Sequence, residues 1–95
     1  MEITINHDQE SQEFTADLEN EQAELAYAKP EDKVIDFQHT FVPERFRRKG
    51  VANKLIRAGL AYAEAEKFQV IASCPAVSSF IRRHQEFQPL LKSPQ

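Results

Sequence analysis

Arg45, Arg47, Arg48 and Lys49 stand directly before Gly50 in a chain whose formal net charge is −3. So much local positive charge, followed by Gly50, Val51, Ala52 and Asn53, suits an anion. A helix that starts at Gly50 exposes unpaired backbone N–H groups at the positive end of its dipole, and a phosphate fits such an end. Gly50 and the small Ala52 let a bulky anion approach the backbone closely. Two other side chains could carry chemistry. His39 brings an imidazole, which can serve as a general base near neutral pH. Cys74 precedes Pro75 and so takes the N-cap of a helix, a position that favours thiolate and could let the sulfur accept an acyl group. Each has a structural alternative. His39 is in phase with Ile35, Phe37 and Phe41 and could be a half-buried histidine with one hydrogen bond, and a lone cysteine commonly packs as a small apolar residue.

The elements that must position these residues can be read from periodicity. Ile3 and Ile5 alternate with polar residues, as do Phe14, Ala16 and Leu18, which is the period of half-buried strands. Glu19-Asn20 reads as a turn, Ala23, Leu25 and Tyr27 alternate again, and Pro30 and Asp32 mark a second turn. A fourth strand, "VIDFQHTFV", places Ile35, Phe37, His39 and Phe41 on one face if it stays regular, with Val34, Asp36, Gln38, Thr40 and Val42 on the other. Short connections make the four an antiparallel meander. After Gly50 the period becomes helical: Val51, Leu55, Gly59 and Tyr62 recur on one side while Lys54, Arg57, Glu64 and Lys67 face away. "FQVIASC" is a further strand, "PAVSSFIRRH" a second helix, and "EFQPLLKSPQ" a short edge strand that frays at its end. The expected class is α+β.

Composition excludes several functions. Ninety-five residues form one domain over 1–95, and 41% hydrophobic with 28% charged is the balance of a folded globular chain. No apolar run reaches the roughly 18 residues that cross a bilayer, and the first residues lack the order of a signal peptide. No membrane role is expected, and the cytoplasm is the expected location. One cysteine and three scattered histidines make a poor metal site, so none is expected. A negative net charge makes nucleic acid an unlikely partner. Neither G-x-x-x-x-G-K-[ST] nor G-x-G-x-x-G is present, which counts against nucleoside triphosphates and dinucleotides.

Arg47-Arg48-Lys49-Gly50-Val51-Ala52 fits R-x-x-G-x-A, which resembles the pyrophosphate loop of the GNAT superfamily of acetyl-coenzyme A-dependent N-acetyltransferases. His39-Thr40, Val42-Pro43, Gly50-Val51-Ala52, Cys74-Pro75, Phe80, Arg83-His84 and Glu86-Phe87 follow the order of its very small, single-domain members, and the match covers residues 39 to 87. This resemblance implies a truncated GNAT fold: antiparallel N-terminal strands, a long central helix, one more strand and a short C-terminal helix. It also implies acetyl-coenzyme A or coenzyme A in a cleft beside the fourth strand, held by Arg47, Arg48, Lys49, Gly50, Val51, Ala52 and Asn53. Backbone N–H groups near Phe41 and Val42 would face the thioester if the fourth strand is splayed or bulged there, as the GNAT fold implies, with Cys74 close to its sulfur and Arg83 a further candidate for the phosphates. Acetyl would pass to a primary amine of a small molecule or a protein, with His39 as base and Cys74 as a possible acyl carrier. A monomer or weak dimer is expected. Three positions depart from the family pattern: Ala76 and Gln85 replace a frequent tyrosine and proline, and the last helix lacks the tyrosine that larger members use as acid. The alternatives are therefore a coenzyme A-binding module without turnover and, with less support, a module for nucleic acid or an acidic partner.

Overall fold

The structure is a computed structural model that describes residues 3–92. Five strands form one sheet in the order of the chain: β1 (Thr4–Asp8), β2 (Glu13–Leu18), β3 (Glu21–Glu31), β4 (Val34–Phe41) and β5 (Gln69–Ala72). The first four pair antiparallel and β5 lies parallel to β4. A parallel neighbour needs a crossover, and α1 (Val51–Ala65) supplies most of it. The helix α2 (Pro75–Arg83) follows β5.

Alternation in β2 and β3 turns Phe14, Ala16 and Leu18, then Ala23, Leu25 and Tyr27, to one face, where all six are buried. Val51, Leu55, Ile56, Leu60 and Ala63 of α1 and Val77, Phe80 and Ile81 of α2 complete the same core cluster. Each fully buried side chain of this kind stabilises the fold by about 1.5–3 kcal/mol. The α1 helix lies close on the sheet at Gly59, where an added β-carbon would come within 2.8 Å of the Phe37 ring and 3.1 Å of Leu25. The opposite face of the sheet carries no helix among the described residues.

The fourth strand departs from the regular alternation expected of it. Tyr27 pairs with Phe37 and the next β3 residue, Ala26, pairs with His39, so Gln38 is an extra residue, a β-bulge. One added residue reverses every later side chain. Beyond the bulge Thr40 and Val42 turn to the core side, while His39 and Phe41 turn to the bare face and are exposed. The expectation that His39 and Phe41 share a face with Ile35 and Phe37 is thus corrected, and with it the reading of His39 as half-buried.

The tail also differs. Residues expected to form an edge strand instead make a 3₁₀ helix, Gln85–Leu90, and only Leu91 bridges to Val70. Pro89 inside that segment cannot donate to a ladder. The expected fraying at 93–95 lies outside the described residues.

Candidate active site

The chain leaves β4 through Pro43 into a single 3₁₀ turn, Glu44–Phe46, which drives the Phe46 ring into the core at 5% exposure. Arg47 is extended and its Nε donates to the Val42 carbonyl at 2.8 Å, which ties the loop back to the end of β4. Arg48 and Gly50 are both left-handed, at φ 66 and φ 81. That pair of reversals aims the chain into α1 with Gly50 as N-cap and no side chain capping the helix. The Lys54 N–H donates to the Gly50 carbonyl at 3.1 Å, the first bond of the helix. The N–H groups of Val51, Ala52 and Asn53 precede that bond and have no helical carbonyl to reach. They border a cavity of about 200 Å³ whose other walls are Val42, Phe46, Arg47, Arg48 and Gly50. An added β-carbon at Gly50 would meet nothing within 4 Å, so the space beside the N-cap is open.

Seven of the expected loop and strand residues therefore converge: Val42, Arg47, Arg48 and the run Gly50 to Asn53 all line one cavity. Lys49 instead lines an adjoining hollow of about 260 Å³ with Glu19, Arg45 and Phe46. Arg45 does not add charge to the cradle. Its Nε and Nη2 bind Glu21 and Glu19, each at 2.7 Å, and its guanidinium lies 4.8 Å from the Phe46 ring centre. Arg83 is placed away from this group, in the last turn of α2, where it donates to Ser79 at 2.7 Å. Arg82 bonds Ser78 in the same way, and the His84 ring stacks on Phe80 at 3.9 Å. Arg82 and Arg83 thus dress a helix end with its own hydroxyls.

The strands β4 and β5 part after the pair Phe37–Ala72, and the Cys74 N–H still donates to the Phe37 carbonyl at 2.8 Å. From Gln38 to Phe41 the edge of β4 that faces β5 has no strand partner among the described residues. A chain of alternating donors and acceptors is presented there beside Val42 and the loop cavity. Cys74 is the N-cap of α2, with Pro75 in its first turn, as the sequence indicates. The residue is buried, at 4% exposure, and its sulfur sits 3.2 Å from the Thr40 hydroxyl. Thr40 reaches it because of the bulge. His39, one residue earlier, leaves on the other side of the sheet, so the two expected catalytic side chains are not neighbours.

Both tyrosines lie in a separate aromatic cluster. His7 Nε2 and the Tyr27 hydroxyl are 2.6 Å apart, His7 stacks on Phe14, and Lys29 Nζ donates to the Tyr62 hydroxyl at 3.2 Å. Burial, then the neighbouring Tyr62 and Asp8, push the Tyr27 phenol up to about 12. Burial first, then the Lys29 charge, lowers the His7 imidazole below its ordinary value. Tyr62 stands about three turns along α1 from the loop cavity.

Two residues of the site escaped the sequence reading. Phe46 forms a wall of both hollows, and its signal was a single apolar residue inside the basic run. Thr40 touches the Cys74 sulfur, and nothing short of the bulge reveals that.

A five-stranded sheet whose fourth and fifth strands part beside a glycine-initiated helix defines an acetyltransferase-type fold of the GNAT class. The sequence profile of the GCN5-related N-acetyl-transferase family matches residues 13–90, and the chain belongs to that family. Similar proteins include Protein NATD1 of Bos taurus, 29% identical over 84 residues that span 86% of this chain and 74% of that protein. Protein NATD1 of Homo sapiens is 27% identical over 84 residues, again 86% of this chain and 74% of that protein. Among solved structures, the solution structure of a GCN5-like protein from Staphylococcus aureus superimposes with a TM-score of 0.76 at 24% identity. That match covers 97% of this chain and 90% of the other, which establishes the shared fold.

Proposed function

We propose that the protein is an acetyl-coenzyme A-dependent N-acetyltransferase acting on a primary amine. The observation that carries this reading is the cavity at the start of α1, where three helix N–H groups and two arginines meet around the left-handed Gly50. The donor set suits a pyrophosphate. The amides of Val51, Ala52 and Asn53 point along the helix dipole, Arg47 and Arg48 add charge, and the space beside the Gly50 N-cap is open. Bound there, acetyl-coenzyme A supplies an acyl thioester.

The protein's own groups then have distinct tasks. Arg47 holds the loop to Val42 while its outer nitrogens face the phosphates. The open edge of β4, from Gln38 to Phe41, aligns the coenzyme's amide arm by backbone bonds and offers an N–H to the oxygen that gains charge. His39 takes the proton from the attacking amine on the bare face. In the overall step a C–N bond forms, the C–S bond breaks, the amine's proton goes to His39 and the departing thiolate takes a proton from water. With its sulfur buried against Thr40, Cys74 walls the cleft rather than carrying acetyl.

A second reading has one observation in its favour. Tyr27 on β3 and Tyr62 about three turns along α1 are both engaged in the aromatic cluster, so no phenol is at hand for the leaving sulfur, which suits coenzyme A binding without turnover. Release of coenzyme A thiol, followed with a panel of primary amines, separates the two. Amine-dependent release several-fold above hydrolysis supports transfer, and hydrolysis-level rates with every amine leave only the binding module.

A further inference from the structure

The sheet has one face packed under both helices and one bare face, and directly opposed residues of paired strands share a face. Asp8, Glu13, Ala26 and His39 pair in succession and make one row across the bare face. Asn6, Thr15, Glu24 and Phe41 make the next row. Neither row contains a lysine or arginine, and the ion pairs among the described residues belong to Arg45 at another place. Other acids nearby are already satisfied: Asp17 accepts from Asn6 and Gln22, and Asp8 from the Ser11 N–H. Among the described residues Glu13 and Glu24 have each other and no ion-pair partner. Burial, then Glu24 and Asp8, hold the Glu13 carboxyl above its ordinary range. Like charges set side by side on a rigid sheet are destabilising unless something positive lies over them.

The face also has a shape. Ala26 stands between Glu13 and His39 with only a methyl group, so it floors a strip flanked by Glu24 and Phe41. Phe41 is 42% exposed and offers an apolar side to whatever lies there. The strip ends at His39, where β4 opens toward the proposed thioester. From His39 to Glu13 is two strand spacings, roughly 10 Å.

We propose that this bare face is the acceptor platform and that its occupant is a linear aliphatic polyamine, reacting nitrogen at His39, methylenes along Ala26 and Phe41, remote ammonium over Glu13 and Glu24. The inference rests on the acetyl-transfer reading above and supplies its substrate class. The floor of the strip carries only methyl groups, from Ala26 and its neighbour Ala28, and takes an unbranched aliphatic chain without a clash. Two carboxylates at the far end give a polyamine an advantage over a monoamine that reaches only His39.

The test is an amide-resolved NMR titration of the whole protein with spermidine, against butylamine and tetralysine. Saturable shifts confined to Glu13, Glu24, Ala26, His39 and their strand neighbours are expected, with butylamine at least about tenfold weaker. In the double variant Glu13→Gln, Glu24→Gln spermidine should weaken about tenfold, while Glu64→Gln on the outer side of α1 should bind like wild type. Shifts that scatter, fail to saturate or survive the double variant overturn the proposal. Tighter saturation of the same strip by tetralysine overturns the polyamine assignment in favour of a basic peptide. Coenzyme A binding is measured separately. Its absence alongside saturable spermidine shifts overturns the acetyl-transfer reading, and its presence without them overturns only the platform.

Discussion

At Gly50 the backbone turns to φ 81, and an added β-carbon would find open space. A substitution there therefore acts through conformation and through what its side chain does to the approach. Gly50→Ala should cost about 1–2 kcal/mol of strain, read as a lowered unfolding midpoint, and leave a measurable coenzyme A affinity. The basic run divides its labour residue by residue. Arg47 ties the loop, Arg48 and Lys49 line two hollows, and Arg45 is held by Glu19 and Glu21. Cys74 gives a second prediction. Its burial beside Thr40 means that intact-mass spectrometry after mixing with acetyl-coenzyme A should show no acetylated protein, and Cys74→Ser should keep the greater part of any turnover. An acetyl adduct lost in that variant would restore Cys74 as a nucleophile. His7 belongs to pH rather than to catalysis. Its imidazole is lowered from 6.5, so the fold favours the neutral form: this contribution is full above 6.5 and is lost as pH falls from there through the folded-state value. Thermal midpoints of wild type should fall more steeply between pH 7.5 and 5.5 than those of His7→Gln, and parallel curves would contradict the assignment.

At the scale of elements, the close contact of α1 and the sheet turns on Gly59. A methyl group there presses on the rigid Phe37 ring at 2.8 Å. Overpacking of this kind costs about 1–3 kcal/mol, against about 1 kcal/mol gained from alanine's helix propensity. Gly59→Ala should thus lower stability in chemical denaturation by about 1 kcal/mol, and a more stable variant would show that α1 can lift. The meander, the long helix from Gly50 and the Pro75 helix are all legible in the sequence, because each has a sustained period and a clear punctuating residue. The bulge is not. A period-two pattern of "VIDFQHTFV" gives no sign that Gln38 is counted out, since Ile35 and Phe37 before it and Thr40 and Val42 after it both look alternate. Everything at the site's heart depends on that residue: Thr40 rather than His39 meets Cys74. The 3₁₀ tail was hidden for a similar reason, because Leu90 and Leu91 are as apolar as an edge strand requires. Much of the loop cavity's lining, by contrast, can be read ahead, since Arg47, Arg48 and the run Gly50 to Asn53 form one short segment, whereas the Phe46 wall and the placing of Lys49 in the adjoining hollow depend on the 3₁₀ turn.

For the molecule as a whole, the two halves of the proposed reaction lie on opposite sides of one strand. The loop cavity and Cys74 belong to the packed side and edge of β4, while His39, Phe41 and the acidic rows belong to its bare face. In the proposed reaction a single sheet would keep an anionic coenzyme and a cationic acceptor apart and let them meet where β4 and β5 diverge. No helix among the described residues is long and apolar enough to cross a membrane. The account stands first on the cradle at the start of α1. Isothermal calorimetry of wild type and Gly50→Glu with coenzyme A tests it most directly, with circular dichroism to confirm that the variant folds. Saturable binding by wild type that weakens at least about tenfold in the folded variant is the predicted result. No binding by wild type, or equal binding by both, would contradict it.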